Sequence, residues 1–159
     1  MRKRNWFLWI LLGVALPVLA QHQHDPAQHK PASKPAPDGR IAVRFPVQLR
    51  EHTLANMRDH LLALAQIQEA LSRNAFDTAG RIAEERLGMT SLKLHGAHEV
   101  AKYMPKGMQE AGTAMHRSAS QFALEAQNAS VTGDLKPALA ALSKVTQACV
   151  ECHAGYRLQ

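Results

Sequence analysis

Cys149, Cys152 and His153 are the residues of this chain whose types and spacing do recognisable chemistry. They stand in the run Cys149-Val150-Glu151-Cys152-His153, and the two cysteines are the only ones in 159 residues. C-x-x-C-H is the attachment pattern for c-type haem. Each thiol adds to a vinyl group to form a thioether, and the adjacent histidine is set to ligate the iron. On a helix, positions 149, 152 and 153 share a face, so all three can meet one flat macrocycle. The pattern implies one covalent haem c per chain, held by Cys149 and Cys152, with His153 as the metal ligand. A zinc site would want four protein ligands, and no second C-x-x-C or H-x-x-x-H is present. A thioredoxin-like pair would follow a strand in a βαβ unit, which this sequence lacks. Two cysteines three positions apart cannot staple a disulfide-dense scaffold.

The beginning of the chain agrees with that chemistry. Residues 1–20 read as a secretory signal, with Arg2, Lys3 and Arg4 at its start, an apolar run from Trp6 to Val18, and Val18-Leu19-Ala20 before the expected cut. The run is shorter than the ~20 residues of a membrane span, so no stable membrane anchor is expected after cleavage. An exported protein of this kind is expected in the periplasm, where c-type haem is attached. The charge of +6 is partly the signal's. Without those three basic residues the chain holds sixteen basic against thirteen acidic groups, a net +3. Nucleic-acid binding thereby loses its main support.

Residues 21–45 are expected to be a flexible linker. Pro26, Pro31, Pro35 and Pro37 favour extended chain, and His22, His24 and His29 read as solvated tail residues. From residue 46 to 159 the period turns helical. Leu54, Met57, Leu61, Leu64 and Leu71 form a stripe on a first helix over about 47–72. Asn74 and Asp77 break it, with Asp77 as cap of a second helix lined by Ala79, Ile82, Ala83 and Leu87. Ser91 to Tyr103 continues that layer after a bend. Pro105 opens a third helix with Met108, Met115, Ala119, Phe122 and Ala126 inside. Gly133-Asp134 turns the chain into a fourth helix reaching about Arg157. With 46% hydrophobic and 5% aromatic residues and no strand-like alternation, the expected class is all-α: an antiparallel four-helix bundle with C-terminal c-type haem attachment.

The ending Cys149-Val150-Glu151-Cys152-His153-Ala154-Gly155-Tyr156-Arg157 resembles the C-x-x-C-H-x-x-Y-R of the class II cytochromes c, the cytochrome c′ family. The resemblance implies a four-helix bundle with haem on its last helix and Arg157 close to the proximal side of the haem. In this family the distal residue of the first helix decides the function. Leu49-Arg50-Glu51 resembles, imperfectly, the stretch that opens that helix, although Glu51 puts an acid where the family has an amide. In that register Arg50 partners a haem propionate and Leu54 covers the iron. A shift of about one turn brings Met57 there instead. The other histidines, His52, His95, His98 and His116, are expected at the surface or at helix edges, and His60 lies to one side of the Leu54 direction. Met104, Met108 and Met115 read as core.

Two functions follow from the resemblance. With Leu54 over the iron the site is five-coordinate and takes a diatomic gas such as nitric oxide. With Met57 as sixth ligand it is a low-spin electron carrier between small redox proteins. Neither is an enzyme. A peroxidase-like haem enzyme would need a distal acid–base group, and no spacing singles one out. A helical bundle with an unrelated cysteine pair is the remaining reading. Members of the family often pair, so a homodimer is one oligomeric state to expect.

Overall fold

The computed structural model describes residues 38–159. The segment expected to be a signal and the histidines of the Pro-rich segment lie outside the described residues. A strand β1 (Ile41–Val43) leads into α1 (Val47–Ser72), α2 (Phe76–Arg86), a 3-10 turn (Met89–Leu92), a short α3 (Ala97–Ala101), α4 (Lys106–Thr132), α5 (Lys136–Gly155) and a last strand β2 (Tyr156–Leu158). The fold is all-α apart from these two short strands, which pair in parallel with Ile41 opposite Tyr156.

Local chemistry accounts for the helix limits. Pro46 precedes α1, where a missing N–H costs nothing. Asn74 ends it in a left-handed conformation, φ 56°, which asparagine tolerates better than most residues. The Ala75 amide then donates to the Ala70 carbonyl, 2.9 Å, and closes the turn. Asp77 lies inside the first turn of α2 and is not its cap, because the helix begins one residue earlier. Pro105 precedes α4 as Pro46 precedes α1. At the other end Gly133 takes the left-handed conformation, φ 75°, and its amide reaches the Ala129 carbonyl. Asp134 Oδ1 accepts from the Lys136 amide at the start of α5.

Three expectations need correction. The segment 91–103 is not one helix. It is a 3-10 turn and a five-residue helix joined at Gly96, whose left-handed φ of 60° interrupts the α-helical path. The last helix stops at Gly155, and Tyr156 and Arg157 are extended because β1 supplies a backbone partner for them. For the same reason ordered structure begins before residue 46: Val43 and Phe45, in the segment expected as linker, are buried.

Two apolar clusters hold the molecule. The larger joins the second half of α1 to α2, α4 and α5, with Ile67, Leu87, Phe122 and Val145 nearly inaccessible. It is rich in alanine, which lets helices approach closely. A Cβ placed on Gly80 of α2 would stand 3.0 Å from the Ala123 carbonyl oxygen of α4. The smaller cluster gathers Val43, Phe45, Val100 and Met108, with Cys152, Tyr156 and Leu158 against it. The buried line of α1 runs through Thr53, His60, Ala63, Ile67 and Ala70. Leu61, expected inside, is exposed, because the buried line of this helix passes through His60 and Ala63.

Candidate functional site

A cavity of about 500 Å³ opens where α1 faces α3, α4 and the end of α5. That volume falls in the range of small-molecule and cofactor pockets, about 300–1,000 Å³. Its wall is mainly apolar, with Leu54, Met57, Leu92, Val100, Met104 and Met108 among the lining residues. Cys152 and His153 line it from α5. Arg50 lines it from α1, and Arg157 from β2. Six of the seven residues singled out in the sequence thus meet at one cavity: Arg50, Leu54, Met57, Cys152, His153 and Arg157. Cys149 does not line it. It is half-buried one turn away and packs against the larger apolar cluster. Burial pushes both thiols above their ordinary range.

The end of the cavity near β2 is cationic. Arg40 also lines it, and its guanidinium donates to the His153 carbonyl at 3.4 Å, satisfying an acceptor near the end of α5. Asp38 ties this corner together. It accepts from Arg40 Nε at 2.9 Å and from a terminal nitrogen at 2.8 Å. Those bonds hold its carboxyl down at about 2, so it is charged at neutral pH. Arg157 Nε lies 3.3 Å from Asp38 Oδ2, within ion-pair distance but outside hydrogen-bond geometry. That nitrogen is buried and without a hydrogen-bond partner. An orphaned guanidinium donor calls for an acceptor.

The wall formed by α1, the 3-10 turn region and α4 carries three buried imidazoles, so His95 and His116 are not at the surface and His60 faces inward. His60, His95 and His116 are 7%, 6% and 8% exposed. His60 Nε2 and His95 Nε2 are 3.4 Å apart. The His116 ring lies 5.4 Å from that of His95 and 6.2 Å from that of His60. His116 Nδ1–H donates to the Leu87 carbonyl at 2.7 Å, which leaves its Nε2 with the lone pair. The Asn56 amide donates to the His95 carbonyl, and Gly96 follows in the left-handed turn. Burial pushes all three histidines down, His60 to about 4, with repulsion from His95 and His116 adding to the effect on His60. All three are therefore neutral at pH 7.

Part of this was open to detection in the sequence. His60 is three residues before Ala63 and seven before Ile67, so it lies on the true inner line of α1. His116 directly follows Met115 and precedes Ala119 by three. His95 sits in irregular chain, where no period gives its direction.

An apolar cavity of this size, a pair of cysteines beside it and a cationic corner where the buried Arg157 Nε makes no hydrogen bond fit an apolar macrocycle carrying two carboxylates. No protein-family model matches the chain, no curated protein matches it, and no solved structure matches it.

Proposed function

We propose that this chain is an exported monohaem c-type cytochrome of the class II kind, an antiparallel four-helix bundle working in the periplasm. The observation that carries the reading is the opening of Cys152 and His153 of the C-x-x-C-H run into the apolar cavity of about 500 Å³. Cys149 and Cys152 would hold the haem as thioethers, and His153 would ligate its iron. The haem supplies a one-electron couple and a coordination position for a small gas.

The chain's own residues do the rest. Arg157, whose Nε makes no hydrogen bond, and Arg50 on α1 supply donors for carboxylates at the cavity. Asp38 keeps Arg40 beside the end of α5, and this steadies the backbone that carries His153. Leu92, Val100 and Met108 keep water from the apolar wall, and a dry surround is one of the means by which a protein sets a haem potential. No side chain in this reading turns over a substrate, so the protein is a binding or carrier protein and not an enzyme.

The distal side decides between gas binding and electron transfer. Leu54 and Met57 both line the cavity from α1, half-buried. We take Leu54 as the cover, because it stands one turn after Arg50, where the resemblance puts the distal residue. It has no lone pair, so it leaves a coordination position free for a diatomic gas. The test is the visible spectrum of the oxidised and reduced protein. A five-coordinate, high-spin ferric spectrum that changes on adding nitric oxide supports this reading. A methionine-to-iron charge-transfer band, abolished by Met57→Leu, makes the protein an electron carrier to small redox partners instead.

A further inference from the structure

The three buried histidines suit a second kind of ligand, one that the haem reading neither needs nor supplies. His60 comes from α1, His95 from the segment before α3, and His116 from α4, so three separate elements converge. Burying three imidazoles together is costly unless their ring nitrogens are used. Two of the rings are already held from behind. His116 Nδ1 is bonded to the Leu87 carbonyl. His95 Nδ1 lies 3.4 Å from Ser91 Oγ, and that hydroxyl gives its own proton to the Gly88 carbonyl, so it can only accept from His95. Both rings are thus fixed with the proton on Nδ1 and the lone pair on Nε2. A backbone carbonyl or hydroxyl behind the ring is the support that metal-binding histidines ordinarily have.

The spacing agrees. A tetrahedral ion with metal–nitrogen bonds of about 2.05 Å holds two ligand nitrogens about 3.3 Å apart. His60 Nε2 and His95 Nε2 are 3.4 Å apart. Three imidazoles on one such ion have ring centres about 5.2 Å apart. The centres here are separated by 4.7, 5.4 and 6.2 Å. The longest separation, His60 to His116, means that His116 must swing inward to join the pair. As the side chains stand, no group of three or more His, Cys, Asp or Glu among the described residues is placed to hold a metal ion, so that movement of His116 is required. The carboxylate nearest in sequence, Asp59, is occupied by Arg86.

We propose that His60, His95 and His116 bind one divalent transition ion of the zinc or copper class through their Nε2 atoms, with His60 and His95 as the preformed pair. Imidazole donors suit these ions, and neutral rings need no net deprotonation, although the proton by which His60 Nε2 bonds His95 Nε2 moves to His60 Nδ1 when the ion binds. All three histidines line the cavity that Cys152 and His153 also line, so the ion would sit in the wall of the space given to the haem, held by a different set of residues.

The experiment uses the full mature chain with whatever haem it carries, any free thiols alkylated, and His22, His24 and His29 changed to alanine to remove tail ligands. Equilibrium dialysis against Zn²⁺ followed by metal analysis reads the stoichiometry. About one zinc per chain is expected, weakened at least tenfold by His60→Gln or His95→Gln and by a smaller factor by His116→Gln. No retained zinc, or retention unchanged in these variants, overturns the proposal. Because a variant can fail by misfolding, the second reading is taken on the chain with all three histidines intact. Electron paramagnetic resonance of the Cu²⁺ form with pulsed detection counts coordinated imidazoles. Two or three support the site, and none or one overturns it. Zinc bound to a chain without covalent haem would remove the cytochrome reading alone. Covalent haem on a chain that binds no zinc would remove this proposal alone.

Discussion

Cys149 and Cys152 stand one turn apart on α5 and pack against different apolar clusters, Cys149 on the larger and Cys152 on the smaller. The cavity that Cys152 and His153 line is bordered by Val100 and Met108 of the smaller cluster and by Met115 of the larger. A flat apolar group bonded to both sulfurs would bridge the clusters, so haem attachment should add stability as well as chemistry. Ligand bound only to the folded state raises its stability by mass action, and a covalent ligand cannot dissociate.

His153→Ala should leave the haem attached, because the thioethers do not depend on the histidine. The spin state and reduction potential should both change. The pairing of a retained covalent haem with an altered spectrum is the expected result. Loss of attachment together with the spectrum would show that His153 acts in folding the end of α5 and not as an iron ligand.

Gly80→Ala should destabilise the protein. Alanine gains about 1 kcal/mol in helix propensity over glycine. Here its Cβ would press on the Ala123 carbonyl at 3.0 Å and the Ala126 Cβ at 3.4 Å. The first of these is helix backbone, which cannot turn aside as a side chain can. Overpacking of this kind costs about 1–3 kcal/mol. A net loss of about 1 kcal/mol is expected from chemical denaturation. Gly112→Ala is the comparison, since its Cβ meets only the flexible end of Met104 at 3.9 Å, and it should be neutral or stabilising. Equal effects of the two would contradict the close approach of α2 to α4.

The buried imidazoles predict how metal-free stability varies with pH. His60 is pushed from an ordinary 6.5 to about 4 by burial first, then by His95 and His116, while Asp59 works the other way. The unfolded chain takes up a proton between those values and the folded chain does not. Stability is therefore complete above pH 6.5 and falls as the pH drops through the window to about 4. His60 alone accounts for about 3 kcal/mol of that fall, and His95 and His116 move in the same direction. In chelator, the denaturation midpoint should fall between pH 7 and 4.5, and His60→Gln should flatten the slope. An unchanged slope in the variant would mean that His60 is not buried as described.

What could be read from the residues was set by local punctuation. Pro46 and Asn74 bracket α1 so firmly that its limits, 47 to 72, are legible without coordinates. The inner stripe of α4 was legible for the same reason, since Met108, Met115, Ala119, Phe122 and Ala126 repeat at helical spacing between Pro105 and Gly133. The phase of α1 was not. A stripe drawn through its leucines includes Leu61, which is 66% exposed, and misses His60, because close packing here favours Thr53, Ala63 and Ala70 over bulk. The β1–β2 pairing joins two three-residue segments more than a hundred positions apart, too short to carry an alternation signal. Arg40, which joins the cationic corner through Asp38, was hidden by the same long-range contact. Among the residues given a role at the haem, Cys152, His153, Arg50, Leu54, Met57 and Arg157 meet at one cavity because α1 and the end of α5 both border it.

Covalent haem at Cys149 and Cys152 is read from the mass of the intact protein made with the haem-attachment machinery and extracted with acidic acetone. The expected product is a chain heavier by one haem, still coloured after denaturing electrophoresis, and a Cys149→Ala, Cys152→Ala double variant with the bare mass. A bare mass for the unaltered chain, with all colour in the solvent, would contradict it.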